Sequence, residues 1–270
     1  MKIKEFDPSV EVENICRWTK EYFAKNGSDC KAIIGISGGK DSSVTAALLC
    51  RALGPDRVIG VKMPQDIQKD IDMANKVIDL LHIKSYEVNI GSICSSVYAA
   101  LGVSYGPGRS IVHNDQVTSN TPARIRMTIL YAIAALEHGR VANTCNLSED
   151  YVGYSTKYGD AAGDFALLQG YTVTEILAIG DYLGLPKEIV HKTPIDGLCG
   201  KTDEENLGFT YEVLDNYLIG KEIPDVDILA NIQKRHNRNT HKTEAIRLPH
   251  PRAISRTYNK YSRWNDDWDL

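Results

Sequence analysis

IIGISGGKDSS, residues 33–43, reads as the end of a buried strand, a tight glycine turn and the start of a helix. Ile33, Ile34 and Ile36 are β-branched and favour a strand, and Val44-Thr45-Ala46-Ala47-Leu48-Leu49 continues as a helix. Gly38 and Gly39 carry no Cβ, so backbone N–H groups there approach an anion closely. The helix start adds unpaired N–H donors at the positive end of its dipole. Ser37, Ser42 and Ser43 add hydroxyls, Lys40 a positive charge, and Asp41 a carboxylate suited to a metal. The stretch is therefore expected to cradle phosphate. It matches neither G-x-x-x-x-G-K-[ST] nor G-x-G-x-x-G, which excludes those two nucleotide loops.

Outward from this turn, strands are expected at 31–36, 57–63, 84–90 and 140–144, and helices at 10–25, 41–53, 67–81, 93–101, 121–138 and 173–184. Pro122 suits the first turn of its helix, where Ile125, Ile129, Ile133 and Leu136 repeat at helical spacing. Residues 102–119 and 145–171 read as loops, the second long enough to be functional. Residues 203–239 are largely helical, and the last thirty are polar and irregular. Strands alternating with helices predict an α/β fold, a parallel sheet with helices on both faces. Residues 1–270 form a single domain with extra C-terminal helices from about residue 203.

Composition narrows the class. Hydrophobic content of 43% and charged content of 24% are ordinary for a soluble domain. A net charge of −4 gives no footprint for nucleic acid or an anionic membrane, so neither is an expected partner. Cysteines 16, 30, 50, 94, 145 and 199 form no C-x-x-C pair and no zinc spacing, and are expected to be small buried side chains. MKIKEFDPSV has no apolar h-region, and no run approaches membrane-spanning length. A reduced, cytoplasmic protein is expected.

The string S-G-G-x-D-S (37–42) resembles the PP-loop of ATP pyrophosphatases. In that superfamily the loop holds the pyrophosphate released when ATP is cleaved between its α and β phosphates. Four further segments are NTPARIRMTILYAIA (120–134), NTCNLSEDYVGYSTKYGDAAGD (143–164), LGLPKEIVHKTP (183–194) and DEENLGFTYEVLDNYLIG (203–220). Together with the loop they resemble the ammonia-dependent NAD synthetase family, in order and spacing, over about residues 10–240. The resemblance implies an adenine nucleotide alpha-hydrolase-like fold. It also implies a ligase that converts deamido-NAD to NAD with ATP and ammonia through an acyl-adenylate, releasing AMP and pyrophosphate.

Carried over by position, Gly35, Ile36, Ser37, Gly38, Gly39, Lys40, Asp41 and Ser42 match the ATP loop. Lys62, where the family usually has Arg, resembles an ATP contact, as do Gln68 and Thr144. Asp41 and Glu149 match the two Mg2+ ligands, and Arg124, Lys157, Asp164 and His236 resemble deamido-NAD contacts. The resemblance further implies a homodimer with the deamido-NAD site near the subunit boundary. The chain has no room for a glutaminase domain, so free ammonia, or ammonia received from a separate subunit, is the expected nitrogen donor. Departures lie on the phosphate side. Val173 stands where the family has a lysine, and Ile195 where it has a hydroxyl. Arg235-His236-Asn237-Arg238 departs from a terminal His-Lys pair, with His241-Lys242 as a shifted substitute. Lys40, Lys192 and Lys201 are candidates for the missing charge. These departures leave open an amide ligase acting on another carboxylate, or a nucleotide-binding homologue with impaired catalysis.

Overall fold

Alternation along each strand sets the layers of the molecule. The fold is taken from a computed structural model, which describes residues 6–67, 71–102, 115–192 and 202–244. Five parallel strands pair in the order β3-β2-β1-β4-β5. They are β1 (Lys31–Gly35), β2 (Val58–Lys62), β3 (Lys84–Glu87), β4 (Gly139–Asn143) and β5 (Phe165–Ala166). In register, Ile33 faces Ile59 on one side and Val141 on the other.

Ala32, Ile34, Val58 and Ala142 point to one face. There they pack with helices α1 (Pro8–Asn26), α2 (Lys40–Leu53), α3 (Ile71–Leu81), α7 (Val173–Tyr182) and α8 (Lys187–Val190). Ile33, Ile59, Val61 and Val141 point to the other, against α4 (Gly91–Ala100) and α5 (Asp115–Leu136). A third apolar cluster joins α7 to α6 (Leu147–Val152), α9 (Asp203–Leu207), α10 (Tyr211–Leu218) and α11 (Val226–Asn239), through Val152, Val173, Leu207, Leu214 and Ile232. The parallel sheet with helices on both faces and a helical C-terminal portion is the expected architecture.

Three boundaries differ from the sequence reading. Helix α5 starts at Asp115, inside the stretch read as a loop, so Pro122 lies within the helix. Its opening residues have no apolar period, but Val117 packs on the second core. Residues 145–171 contain α6 and β5. Helix α6 is held by its cap, with Asn146 Oδ1 accepting from Glu149 N at 2.9 Å. Strand β5 is a two-residue extension of the sheet beside β4. The stretch expected to be largely helical, 203–239, is divided into α9, α10 and α11, and residues 193–201 and 245–270 lie outside the described residues.

The strand order places the candidate site. The chain runs outward from β1 to β3, then crosses to β4 on the other side of β1. In open parallel sheets such a switch point leaves a crevice at the carboxyl ends of the strands. The loop after β1 and the segment after β4 therefore open side by side.

Candidate functional site

The glycine turn is built as a cradle. Gly38 has φ +82°, and a Cβ there would lie 2.7 Å from Ala74 N at the start of α3. Only glycine fits that position. Ser37 Oγ accepts from Gly39 N at 3.2 Å and lies 3.0 Å from Ser42 Oγ, while Ser43 Oγ donates to Gly39 O at 2.7 Å. These bonds lock the turn onto α2. Gly39 is the N-cap and supplies no side-chain acceptor, so the first-turn amides of α2 face the crevice uncapped. Gly35 and Ile36 end the strand, with Ile36 N donating to Val61 O at 2.9 Å.

Asp41 and Glu149 come together across this crevice. Asn146, after β4, donates from Nδ2 to Asp41 Oδ1 at 3.1 Å, and its Oδ1 caps Glu149. Lys40 Nζ lies 2.8 Å from Asp41 Oδ2 and 5.8 Å from the Tyr211 ring centroid. Lys40 is only 7% exposed. Burial alone would lower its pKa, but the Asp41, Glu149 and Asp203 carboxylates outweigh that and hold the ammonium above its ordinary value. Burial and the Asp41 charge push the Glu149 carboxyl well up, against the opposing pull of Lys40. Two hard oxygen donors that strain against each other, beside this glycine turn, are a pair that could hold a divalent cation. Thr144 lies half-buried just past the end of β4.

A second feature lies beyond the end of α6. A groove of about 650 Å³ runs between the start of α5, residues 152–157 and the outer face of α11. Arg124 and Lys157 both line it, with Arg124 Nε donating to Lys157 O at 3.2 Å. Lys234, Arg238, His241 and Lys242 line it too, and none of the described lining residues is acidic. Lys157 Nζ donates to His241 O, and Lys242 Nζ donates to Gly153 O at 2.6 Å and Ser155 O at 2.9 Å.

The other sequence-derived positions are placed elsewhere. His236 stacks on Tyr151 with ring centroids 4.1 Å apart and bonds Tyr151 O through Nδ1, and it does not line the groove, whereas His241 and Lys242 do. Asp164 accepts from Val141 N at 2.7 Å and Tyr131 Oη at 3.2 Å, so its carboxylate joins β4 to the start of β5. Lys62 Nζ is held by Asn75 Oδ1 at 2.6 Å and Glu87 Oε2 at 2.7 Å. Val173, 7% exposed, is part of the third apolar cluster. Gln68, Ile195 and Lys201 lie outside the described residues. Two participants had gone unread. Asn146 carries a legible signal, an N-x-x-E cap at 146–149, and the polar stripe of α11 shows as a three-and-four spacing.

Comparison with known proteins gives the family and the fold. A family model described as NAD synthase matches residues 11–248. The NH(3)-dependent NAD(+) synthetase of Alkaliphilus metalliredigens is 34% identical over 248 residues, 89% of this chain and 98% of that one. A structure of an NMN synthetase from Francisella tularensis superposes with TM-score 0.81 at 31% identity, covering 91% of this chain and 100% of that one. An NH3-dependent NAD synthetase from Campylobacter jejuni, solved with nitrate ion, gives TM-score 0.71 at 27% identity, with coverage of 91% and 100%.

Proposed function

The chain belongs to the NAD synthase family, and from that membership we propose that it amidates the nicotinate carboxylate of deamido-NAD with ATP and ammonia. The observation that carries the reading is the bridge from Asn146 to Asp41, 3.1 Å long, which brings Glu149 and Asp41 to one phosphate cradle. ATP lies with its β and γ phosphates on the uncapped amides of α2, flanked by Ser37 and Ser42. Asp41 and Glu149 would hold Mg2+, which would neutralise phosphate charge there. Lys40 supplies a buried cation on the same side.

A carboxylate resists ammonia until it carries a good leaving group. In the first step a nicotinate oxygen bonds to the α-phosphorus, and the bond to the β-phosphate oxygen breaks. Pyrophosphate leaves with that electron pair. In the second step the nitrogen lone pair of ammonia bonds to the acyl carbon, AMP leaves with the electrons of the acyl–oxygen bond, and one proton is released. The residues contribute position and charge neutralisation. Arg124 and Lys157 hold the acceptor from the groove side.

A second acceptor is favoured by one observation. The NMN synthetase structure superposes with TM-score 0.81 and is covered along its whole length. On that reading the substrate is the nicotinate mononucleotide, with identical bond chemistry. The test is AMP and amide formation from each acceptor with ATP, magnesium and ammonium, with glutamine as the alternative nitrogen donor. Comparing kcat/KM for the two acceptors selects between them. The reading fails if neither acceptor yields AMP. We infer further that the active form is a homodimer in a reducing cytoplasm, a setting that suits free cysteines at 16, 30, 50, 94 and 145. Mass in solution tests the first part. No described helix is long and apolar enough to cross a membrane.

A further inference from the structure

The edge of the sheet opposite the crevice carries a second set of metal-ligating side chains. Cys30 directly precedes β1 and His138 directly precedes β4. These strands are parallel neighbours, and Lys31 pairs with Gly139, so Cys30 and His138 sit at matching positions of the amino-terminal edge. Asp29 precedes Cys30. An Asp29 carboxylate oxygen, Cys30 Sγ and a His138 ring nitrogen all lie within 4.8 Å of one another. The spacing is invisible along the chain, because the third ligand arrives on another strand.

The thiol is held in place. Cys30 is fully buried, and its N donates to Gly27 O at 3.0 Å. Arg57 donates to Cys30 O at 2.6 Å from Nη2 and 3.2 Å from Nε, and rests over the Phe23 ring. Gly27, which caps α1 with φ +141°, leaves room for the sulfur: a Cβ there would lie 2.3 Å from Cys30 Sγ. His138 is fixed through its backbone, whose O accepts from Lys31 N at 3.2 Å. The Asp29 and His138 side chains are exposed, so a cation over the sulfur can be reached from solvent.

We propose that Asp29, Cys30 and His138 bind a zinc ion that staples the amino-terminal ends of β1 and β4. One sulfur, one imidazole nitrogen and one carboxylate oxygen suit zinc rather than magnesium or calcium. Tetrahedral zinc separates its ligand atoms by about 3.3–3.6 Å, as its bond lengths require. His138 Nε2 and Asp29 Oδ2 are already 3.4 Å apart, and rotation of these two exposed side chains brings them onto the fixed sulfur. Binding displaces the thiol proton to solvent, and water completes the fourth position. The Arg140 guanidinium lies on the same side, 3.6 Å from where the Gly27 Cβ would be. Its charge keeps the affinity below that of a closed four-ligand site. The proposal is independent of the ligase reading.

The experiment titrates the reduced full chain with Co2+ and then Zn2+, in excess magnesium to occupy oxygen-only sites. It compares wild type with Cys30→Ala and His138→Asn. Asn tolerates the positive φ of His138, so that variant loses a ligand and keeps the backbone. The expected result is a thiolate-to-cobalt charge-transfer band that zinc abolishes and that Cys30→Ala lacks. His138→Asn should bind zinc at least about tenfold more weakly, as for loss of one ligand of three. Zinc should raise the melting temperature of the wild type above that in magnesium alone, and raise that of neither variant. Melting temperatures in EDTA show that the variants fold, and if Cys30→Ala does not, His138→Asn carries the test. No band in the wild type, a band retained in Cys30→Ala, or equal zinc affinity in His138→Asn overturns the assignment. An equal zinc-induced rise in every protein puts the cation elsewhere and overturns it too.

Discussion

Lys40 and Asp41 are neighbours on the first turn of α2, and their 2.8 Å contact fixes what each substitution does. Asp41→Asn removes a metal-binding oxygen while keeping size and the Asn146 neighbour. Pyrophosphate release should fall at least about 10²-fold with little change in melting temperature. Near-normal turnover would remove Asp41 from the metal site. Lys40→Met acts through the apo state, where the ammonium neutralises Asp41 and Glu149. Without it two part-buried carboxylates are left without their cation, a loss of about 3 kcal/mol. Magnesium should recover much of that, so the drop in melting temperature should be larger in EDTA than in magnesium. Equal drops would show that Lys40 and the metal do not share the site. Val173 runs against its sequence pattern. A lysine there meets Val152, Leu207 and Leu214 rather than open solvent, so Val173→Lys should lower stability by about 1–3 kcal/mol without tightening ATP binding. The phosphate loop was legible because its requirements lie in contiguous residues: glycine at a positive φ, hydroxyls and a helix start. The capping pattern of Asn146 was visible too, but its bond to Asp41 joins two strand ends distant in the chain.

Asp215 shows what holds an element in place. It is 2% exposed, accepts from Ser148 Oγ at 2.5 Å with one oxygen, and from Thr174 N and Thr174 Oγ1 at 2.7 Å each with the other. One carboxylate thus ties α10 to the starts of α6 and α7, and α6 carries Glu149. Asp215→Ala leaves three donors unpaired, and removing a charged acceptor of this kind is expected to destabilise by about 2–4 kcal/mol. Activity at a temperature where the variant is still folded should fall as well, since Glu149 loses its support. A variant that melts lower but turns over normally would separate the hub from the site. Elements with an apolar period, such as α1 and α7, were legible from sequence. Helix α6 and strand β5 were not, because a six-residue helix and a two-residue strand carry too few residues for a period. The first turns of α5 are polar and take their helical state from packing.

At the scale of the molecule, the sheet is tied at its amino-terminal edge by a single acidic residue. Glu137, just past α5, meets Lys31 Nζ of β1 at 2.7 Å and Lys84 Nζ of β3 at 2.5 Å, and takes a short hydrogen bond from Tyr86 Oη. Residue Lys31 lies in the central strand and Lys84 in the edge strand, so Glu137 spans β1 to β3. Hydrogen bonds from Lys31, Lys84 and Tyr86 lower its pKa from 4.5 to about 2. A carboxyl depressed in the folded state contributes stability that is fully present above its unfolded pKa. That contribution is lost as pH falls from about 4.5 toward 2. The acid limb of a melting-temperature profile should therefore be less steep in Glu137→Gln than in the wild type across that window. At pH 7 the variant should be the less stable of the two, and the gap should close as the wild-type carboxylate takes up its proton. Salt should narrow the gap at pH 7 only partly, because the Glu137 side chain is 10% exposed while its lysine partners are more open, at 35% and 55%. Parallel acid limbs for the two proteins would show that Glu137 titrates alike folded and unfolded, and would leave β1 and β3 joined only through β2.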